Sequence, residues 1–238
     1  LLLIPAALIT YSAVRSLPHV NKAHERIASN YARNMLLTLE RDSAIFSPNV
    51  VESFPLVVTR GVYGMRQDIL IFGKQGDADN DTALKNSAGS VMQSGAAQQN
   101  RQLSILEDLS ARNPVYFTMG AIINRPDLVP ILDGLLYKIH TGTISPLDMP
   151  DRWSRYDMSG LDLKRKDYDY LTKYVVSKYY LLRGADWMQR SLDNRADEVF
   201  DKLLKFNPES QFLRLSLATL YLRKGRIDDA LEQYEAAM

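Results

Sequence analysis

The sequence predicts an α/β domain followed by an all-α region of helical hairpins, with an apolar helix at the N-terminus. Three patterns predict this fold class. Short apolar runs alternate with helical patterns over the first part of the chain, helical periodicity continues from residue 161, and an uninterrupted apolar stretch comes first. The predicted division is the end of a transmembrane or membrane-proximal helix over 1–18, a small parallel α/β domain over 19–150, and helical repeats over 161–238.

The composition excludes several classes of protein. The 238 residues are 46% hydrophobic, which is too apolar for a disordered chain, and the balance of 29 Lys and Arg against 28 Asp and Glu does not favour a nucleic-acid partner. No cysteine is present, which excludes disulfides, thiol nucleophiles and Cys-ligated zinc. The three histidines leave little room for a His-based metal site or catalytic triad. We expect no metal, no cofactor and no catalytic residue in this chain.

The first fourteen residues, LLLIPAALITYSAV, are apolar and uncharged. As a helix they would extend about 21 Å, which is shorter than the roughly 30 Å hydrocarbon core of a bilayer. We expect the end of a transmembrane helix, with Tyr11 and Arg15 at its exit into water. A buried or interfacial helix and a signal peptide are the alternatives.

A βαβ unit follows. An amphipathic helix over 20–40 places Ala23, Ile27, Tyr31, Met35 and Leu36 on one face. The apolar runs 43–46 and 69–72 then flank a predicted helix over 53–64, which begins at Ser53 as its N-cap and ends at Gly64. A strand, a helix and a second strand within about thirty residues form a βαβ unit, so the two strands are expected to be parallel.

Further strands are predicted over 114–118 and 135–139, and the segment 124–134 between them suits a short helix or a turn. The stretch 73–101 is rich in Gly, Ser, Asn, Gln and Asp and is expected to be a long mobile loop, with a weak helix as the alternative. Three acidic residues in it have the spacing of a calcium loop, but the required glycine and bidentate acid are replaced by Thr82 and Ala88, which argues against calcium.

An internal repeat of 34 residues is present in the helical region. Small and aromatic residues recur in the same order in its two copies: Gly184 with Ala218, Trp187 with Tyr221, Ala196 with Ala230, Phe200 with Tyr234, and Leu203 with Ala237. This pattern resembles the tetratricopeptide repeat, in which small residues let two helices approach closely. A coincidental pair of amphipathic helices is the alternative.

The stretch over 30–72 resembles a segment of a bacterial family of multi-span, protein O-mannosyltransferase-like membrane proteins. In that family the segment follows the last membrane helix. The matching residues are Tyr31, Ala32 and Asn34 in the first helix, Phe54, Pro55 and Leu56 after the turn, and Gly64, Arg66 and Asp68 before the second strand. The segments 112–118 and 132–139 also resemble later parts of the family.

The resemblance implies an extracytoplasmic C-terminal domain. The family's catalytic acid is expected in a loop between early membrane spans, which this chain does not contain. The match is also incomplete, because the family's Gly-Asp-Asn-Asp turn is replaced here by Asn49, Val50, Val51 and Glu52. We therefore expect this chain to keep at most half of whatever role the turn has in the family.

A crevice is expected where the first strand ends and the next helix begins, because ligands of open α/β sheets bind at the carboxyl ends of the strands. Asn49, Glu52 and Ser53 are the candidate ligand-binding residues, for a sugar hydroxyl or a phosphate. Alternatively, Ser53 caps the helix and Glu52 complements its dipole.

Aromatic residues of the helical region are candidates for an interaction surface, because tyrosine and tryptophan are enriched at interfaces. We assign this role to Tyr170, Tyr174, Trp187, Tyr221 and Tyr234. Packing within the helical array is the alternative.

The expected function is that of a membrane-anchored, extracytoplasmic (periplasmic) scaffold. It would be an accessory subunit that binds other proteins of a membrane complex through its helical repeats. The alternatives are the soluble domain of a lipid-linked-sugar-dependent protein glycosyltransferase, whose catalytic part lies outside this chain, and a ligand-sensing module that uses the crevice at Asn49.

Overall fold

The computed structural model describes residues 26–73, 106, 108–119, 129–140 and 145–238. The predicted membrane segment 1–18, the first residues of the predicted helix 20–40, and nearly all of the loop 73–101 with its acidic residues lie outside this part of the chain.

No helix within the described residues is long and apolar enough to cross a membrane. The 20-residue helix Tyr170–Gln189 carries Lys173, Lys178, Arg183 and Asp186 along its length. The prediction of a membrane-spanning helix is therefore corrected to this extent: the described part of the chain contains none, the predicted segment 1–18 lies outside it, and the predicted anchor has no support in the structure.

In the α/β part, the described residues form two helices with defined bounds and five strands, and residues 106 and 108–110 are also helical. Helix α1 spans Ile27–Thr38 and helix α2 spans Val50–Tyr63. The strands are β1 (Ala44–Ser47), β2 (Leu70–Gly73), β3 (Val115–Phe117), β4 (Val129–Asp133) and β5 (Leu136–His140). They form one sheet in the order β2-β1-β3-β5-β4.

The sheet is mixed. Strand β1 is parallel to β2, with Ile45 opposite Ile71, and parallel to β3, with Ile45 opposite Tyr116. This confirms the predicted parallel pair. Strand β5 runs antiparallel to β3 and to β4, so the purely parallel α/β domain of the prediction is corrected to a mixed sheet with a terminal hairpin.

The prediction of a helix or turn over 124–134 is wrong for residues 129–133, which form strand β4. Pro130 argues against a strand because it lacks a backbone N–H, but β4 lies at the edge of the sheet, where proline is tolerated. The two-residue turn to β5 has Gly134 at φ 65°. A side chain at Gly134 would collide with the Tyr156 hydroxyl, so only glycine fits.

Helix α2 begins three residues earlier than predicted. Asn49 is its N-cap, and the Asn49 Oδ1 atom accepts a hydrogen bond of 2.9 Å from the Val51 N–H. Ser53 lies inside the first turns of the helix instead of capping it. The predicted end is confirmed, because Gly64 adopts the left-handed conformation at φ 63° as the C-cap.

Four helices form the C-terminal part. They are α3 (Tyr170–Gln189), α4 (Asp193–Phe206), α5 (Gln211–Arg223) and α6 (Ile227–Glu235), which pack as two consecutive hairpins. The 34-residue spacing places Gly184 and Ala218 on the first helix of each hairpin. A side chain at Gly184 would collide with the Phe200 ring, which shows why a small residue is required there.

One hydrophobic core joins the sheet to the helices. It contains Tyr31 and Met35 of α1, Ile45 of β1, and Val176 and Tyr179 of α3, all of them buried. The Tyr31 and Tyr179 rings meet edge to face at 5.3 Å. The α/β part and helix α3 are thus packed against each other through apolar side chains.

Arg66 fixes the C-terminal end of α1. Its guanidinium donates hydrogen bonds to the carbonyls of Leu36, Leu39 and Glu40, at 2.8, 2.7 and 2.6 Å, and pairs with Asp68. These carbonyls have no partner within the helix, and a cation at this end also complements the helix dipole. Arg66 adopts a positive φ of 52°, a conformation that is costly for a residue with a side chain and that these bonds maintain.

We predict that Arg66→Met lowers the free energy of unfolding by about 2 kcal/mol, because several charge-assisted hydrogen bonds are lost while the aliphatic stem is kept. Urea unfolding monitored by circular dichroism measures this change. Arg33→Met, at an exposed position on α1, is the matched control and should change stability by less than about 0.5 kcal/mol. Equal effects of the two substitutions would contradict the capping role.

We also predict an acid-dependent loss of stability from Asp68. The hydrogen bond from Arg66 lowers the pKa of Asp68 from 3.8 to about 2. Because the folded-state pKa is depressed, the stabilisation is present above the unfolded-state pKa and disappears as the pH falls from about 4 to about 2. Melting temperatures measured across this range should converge for the wild type and Asp68→Asn; a constant difference would refute the linkage.

Candidate functional site

A crevice of about 520 Å³ lies at the carboxyl end of the parallel strands. Strands β2 and β3 flank β1 on opposite sides, so the end of β1 is a topological switch point, where open α/β sheets commonly bind ligands. The sheet side of the crevice is formed by Pro48, Asn49, Val50 and Met119. Helices α3 to α5 and their connections supply the other side, with Tyr170, Tyr174, Ser177, Asn207, Ser210 and Phe212.

Asn49 connects the two sides of the crevice. Its Oδ1 atom caps α2, and its Nδ2 atom donates a hydrogen bond of 2.9 Å to the Tyr174 hydroxyl on α3. Both ends of the amide are therefore engaged, which fixes the position of Asn49 on the crevice wall.

Glu52 lies beneath the crevice and does not line it. Its side chain is completely buried and forms an ion pair with Lys178, which is also completely buried. The Tyr174 hydroxyl approaches the Glu52 Oε1 atom at 3.4 Å, while Oε2 has no hydrogen-bond partner within the described structure. The predicted ligand-binding role of Glu52 is thus replaced by an internal ion pair.

Lys178 is a residue of this region that the sequence analysis did not single out. Its Nζ atom donates to the Met119 carbonyl at 3.3 Å and lies 5.5 Å from the centre of the Tyr174 ring. Burial lowers the pKa of Lys178 to about 7, and the adjacent Glu52 carboxylate acts in the opposite direction because it stabilises the ammonium form. A signal existed in the run YVVSKYYLL over 174–182, where Lys178 is the single charge among apolar and aromatic residues.

Ser53 is buried and faces the sheet. A side chain added at Gly73, the last residue of β2, would lie 3.4 Å from the Ser53 Cβ atom, so the two residues pack closely. Ser53 is absent from the crevice wall. Of the three predicted ligand-binding residues, the structure therefore places only Asn49 in the crevice.

The five predicted interaction residues do not form one surface. Tyr170, which is 81% exposed, and Tyr174 line the crevice. Trp187 lines a separate cleft, and Tyr221 is buried against Phe200 with ring centres 6.0 Å apart. Tyr234 is half-buried on α6. The structure therefore does not bring the five residues together on one interface. Partner binding by the helical region stays a prediction.

Among the described residues, the crevice wall carries no charged side chain. Within residues 26–73, 106, 108–119, 129–140 and 145–238, no group of three or more His, Asp or Glu side chains is placed to hold a metal ion. The wall instead combines amides and hydroxyls with aromatic rings. Such a surface can exchange hydrogen bonds and stack against a ligand, but it has no group placed to neutralise a charged one.

No family model, no curated protein and no solved structure matches this chain. The resemblance to the mannosyltransferase-like family therefore stays a prediction. The assignments of a tetratricopeptide repeat and of a glycosyltransferase have no family support and are corrected here. The helical region consists of two packed hairpins with a 34-residue spacing, without a family assignment.

Proposed function

We propose that this chain is a binding protein whose crevice takes a neutral, polyhydroxylated small molecule of the saccharide class. The observation that carries the proposal is the composition of the crevice wall, whose described residues supply three aromatic rings, two amides and several hydroxyls but no charge. Its volume of about 520 Å³ suits a mono- or disaccharide, since small-molecule pockets commonly measure 300–1,000 Å³.

The aromatic rings supply a stacking surface. Tyr174 and Phe212 are in contact, with ring centres 5.1 Å apart and planes tilted by 46°, and Tyr170 extends into solvent nearby. The negative face of an aromatic ring attracts the polarised C–H groups on the apolar face of a sugar ring. The binding of such a face requires no charged residue.

The polar groups of the wall are held in place by the fold. Asn207 donates a hydrogen bond of 3.3 Å from its Nδ2 atom to the Ser177 hydroxyl, and Ser210 caps α5 by accepting from the Leu213 N–H at 3.2 Å. With Asn49 fixed between α2 and Tyr174, these groups are oriented before a ligand arrives. Such preorganisation lowers the entropic cost of binding hydroxyl groups.

Charge argues against a phosphorylated or carboxylated ligand. The nearest cation beneath the wall, Lys178, is paired with Glu52 and is buried. The Asn49 side chain already accepts from the Val51 N–H at the start of α2, so this helix end does not present that donor to an anion. The selected ligand is therefore uncharged.

We predict that Tyr170→Ala lowers the affinity for a bound saccharide about tenfold, because the loss of one stacking ring costs about 1–1.5 kcal/mol. Ligand-observed NMR with a panel of neutral mono- and disaccharides and their phosphates measures the binding. Leu171→Ala is the matched control, since Leu171 is exposed on the same helix and does not line the crevice. The proposal fails if none of the neutral saccharides binds, or if the phosphates bind more tightly than the neutral forms.

A further inference from the structure

A second cleft, of about 460 Å³, lies where the turn Trp153–Arg155 meets helices α3 and α4. Its wall contains both aromatic and charged residues, which distinguishes it from the crevice. We call the group Trp153, Arg183, Trp187 and Arg195 the Arg–Trp cleft; the wall also contains Asp151, Asp186 and Arg190.

Arg183 is held between two indole rings. The centre of its guanidinium lies 5.7 Å from the Trp153 ring and 5.0 Å from the Trp187 ring, both within the range of cation–π attraction. No side-chain hydrogen bond or ion pair joins Arg183 or Arg195 to another residue in the described part of the chain. The two guanidinium groups are therefore positioned in the cleft with their N–H donors unused.

Trp153 contributes its indole ring to the wall. Its side chain is only 7% exposed, and its Nε1 atom is buried without a hydrogen-bond partner among the described residues. This N–H group is closed to solvent, so the part of Trp153 that takes part in the cleft is the ring that Arg183 covers.

The net charge of the wall suits a ligand that carries a single negative charge. Arg190 is neutralised by Asp186, at 3.1 Å, and also donates to the Met149 carbonyl at 3.0 Å. The described residues of the wall include three arginines and two aspartates, Asp151 and Asp186, which gives them a formal charge of +1. This balance favours a carboxylate over a doubly charged phosphate.

We propose that the Arg–Trp cleft binds a segment of a partner protein in which a carboxylate side chain lies next to an aromatic residue. The planar guanidinium of Arg183 or Arg195 matches a carboxylate in geometry, and the indole rings pack against the neighbouring aromatic side chain. The inference concerns partner binding by the helical region and does not rest on the saccharide proposal.

Tryptophan fluorescence can report on binding in this cleft. Both of the chain's two tryptophans belong to the Arg–Trp cleft, so tryptophan fluorescence reports on ligand binding there. The probe is the N-acetylated, C-amidated peptide Phe-Glu-Phe, titrated into the full chain. Two comparison peptides replace Glu by Gln or by phosphoserine. We expect saturable binding of the Glu peptide, at least tenfold weaker binding of the Gln peptide, and no gain from phosphoserine.

Substitutions of the two arginines test whether they bind the peptide. Arg183→Gln and Arg195→Gln should each weaken binding of the Glu peptide about tenfold or more, whereas Lys202→Gln, at an exposed position on the same helix as Arg195, should change it less than twofold. Because Arg195 is exposed, its variant is expected to fold even if the Arg183 variant does not. The proposal is overturned if the Glu peptide does not saturate the fluorescence change, if the Gln or phosphoserine peptide binds as well or better, or if Arg195→Gln binds like the wild type.

Discussion

The buried ion pair between Glu52 and Lys178 is the interaction on which the rest of this structure depends. It joins the first turn of α2 to the middle of α3, and both side chains are completely buried. Removing two charges from water costs several kcal/mol per ion, which is recovered only when each charge faces the other in good geometry. The sheet and the helical region must therefore stay in one arrangement for the pair to be satisfied.

The same pair organises the crevice. Lys178 also contacts the carbonyl of Met119 after β3, and Tyr174 connects the pair to Asn49, the N-cap of α2. Three residues of this network, Asn49, Met119 and Tyr174, form part of the crevice wall, while the charges remain below it. This explains how the described wall residues are held in place although none of them is charged: Glu52 and Lys178 position the wall and do not line it.

Local patterns were sufficient to predict part of this fold. The apolar face of α1, the two parallel strands and the C-cap at Gly64 follow from periodicity and glycine chemistry, which depend on near neighbours. Strand β4 was missed because Pro130 argues against a strand unless that strand is known to lie at a sheet edge. The start of α2 was misplaced because both Asn49 and Ser53 are good capping residues, and packing decides between them.

The candidate site was predictable only in its location. The end of β1 is a general binding position in α/β sheets, and Asn49 lies there. The opposite side of the wall comes from α3, from the connection between α4 and α5, and from the start of α5, far along the chain. The pairing of Glu52 with Lys178 depends on that same long-range packing, so a carboxylate that looks accessible in the sequence is neutralised inside the protein.

Helix α3 takes part in both proposed binding sites. Tyr170, Tyr174 and Ser177 belong to the crevice, whereas Arg183 and Trp187 belong to the Arg–Trp cleft. The buried pair and the contact of Tyr31 with Tyr179 hold the helix against the α/β part. Its attachment through Lys178 is thus the common requirement for both surfaces.

A double-mutant cycle on Glu52 and Lys178 tests this account most directly. Urea unfolding near neutral pH should show that Glu52→Gln and Lys178→Met each lower the free energy of unfolding by about 3–5 kcal/mol, because each leaves one buried charge without a partner. Lys173→Met, on the same helix, is the control. The account predicts that the double variant costs less than the sum of the single variants by about 2 kcal/mol or more. Additive effects, or single variants as stable as the wild type, would contradict it.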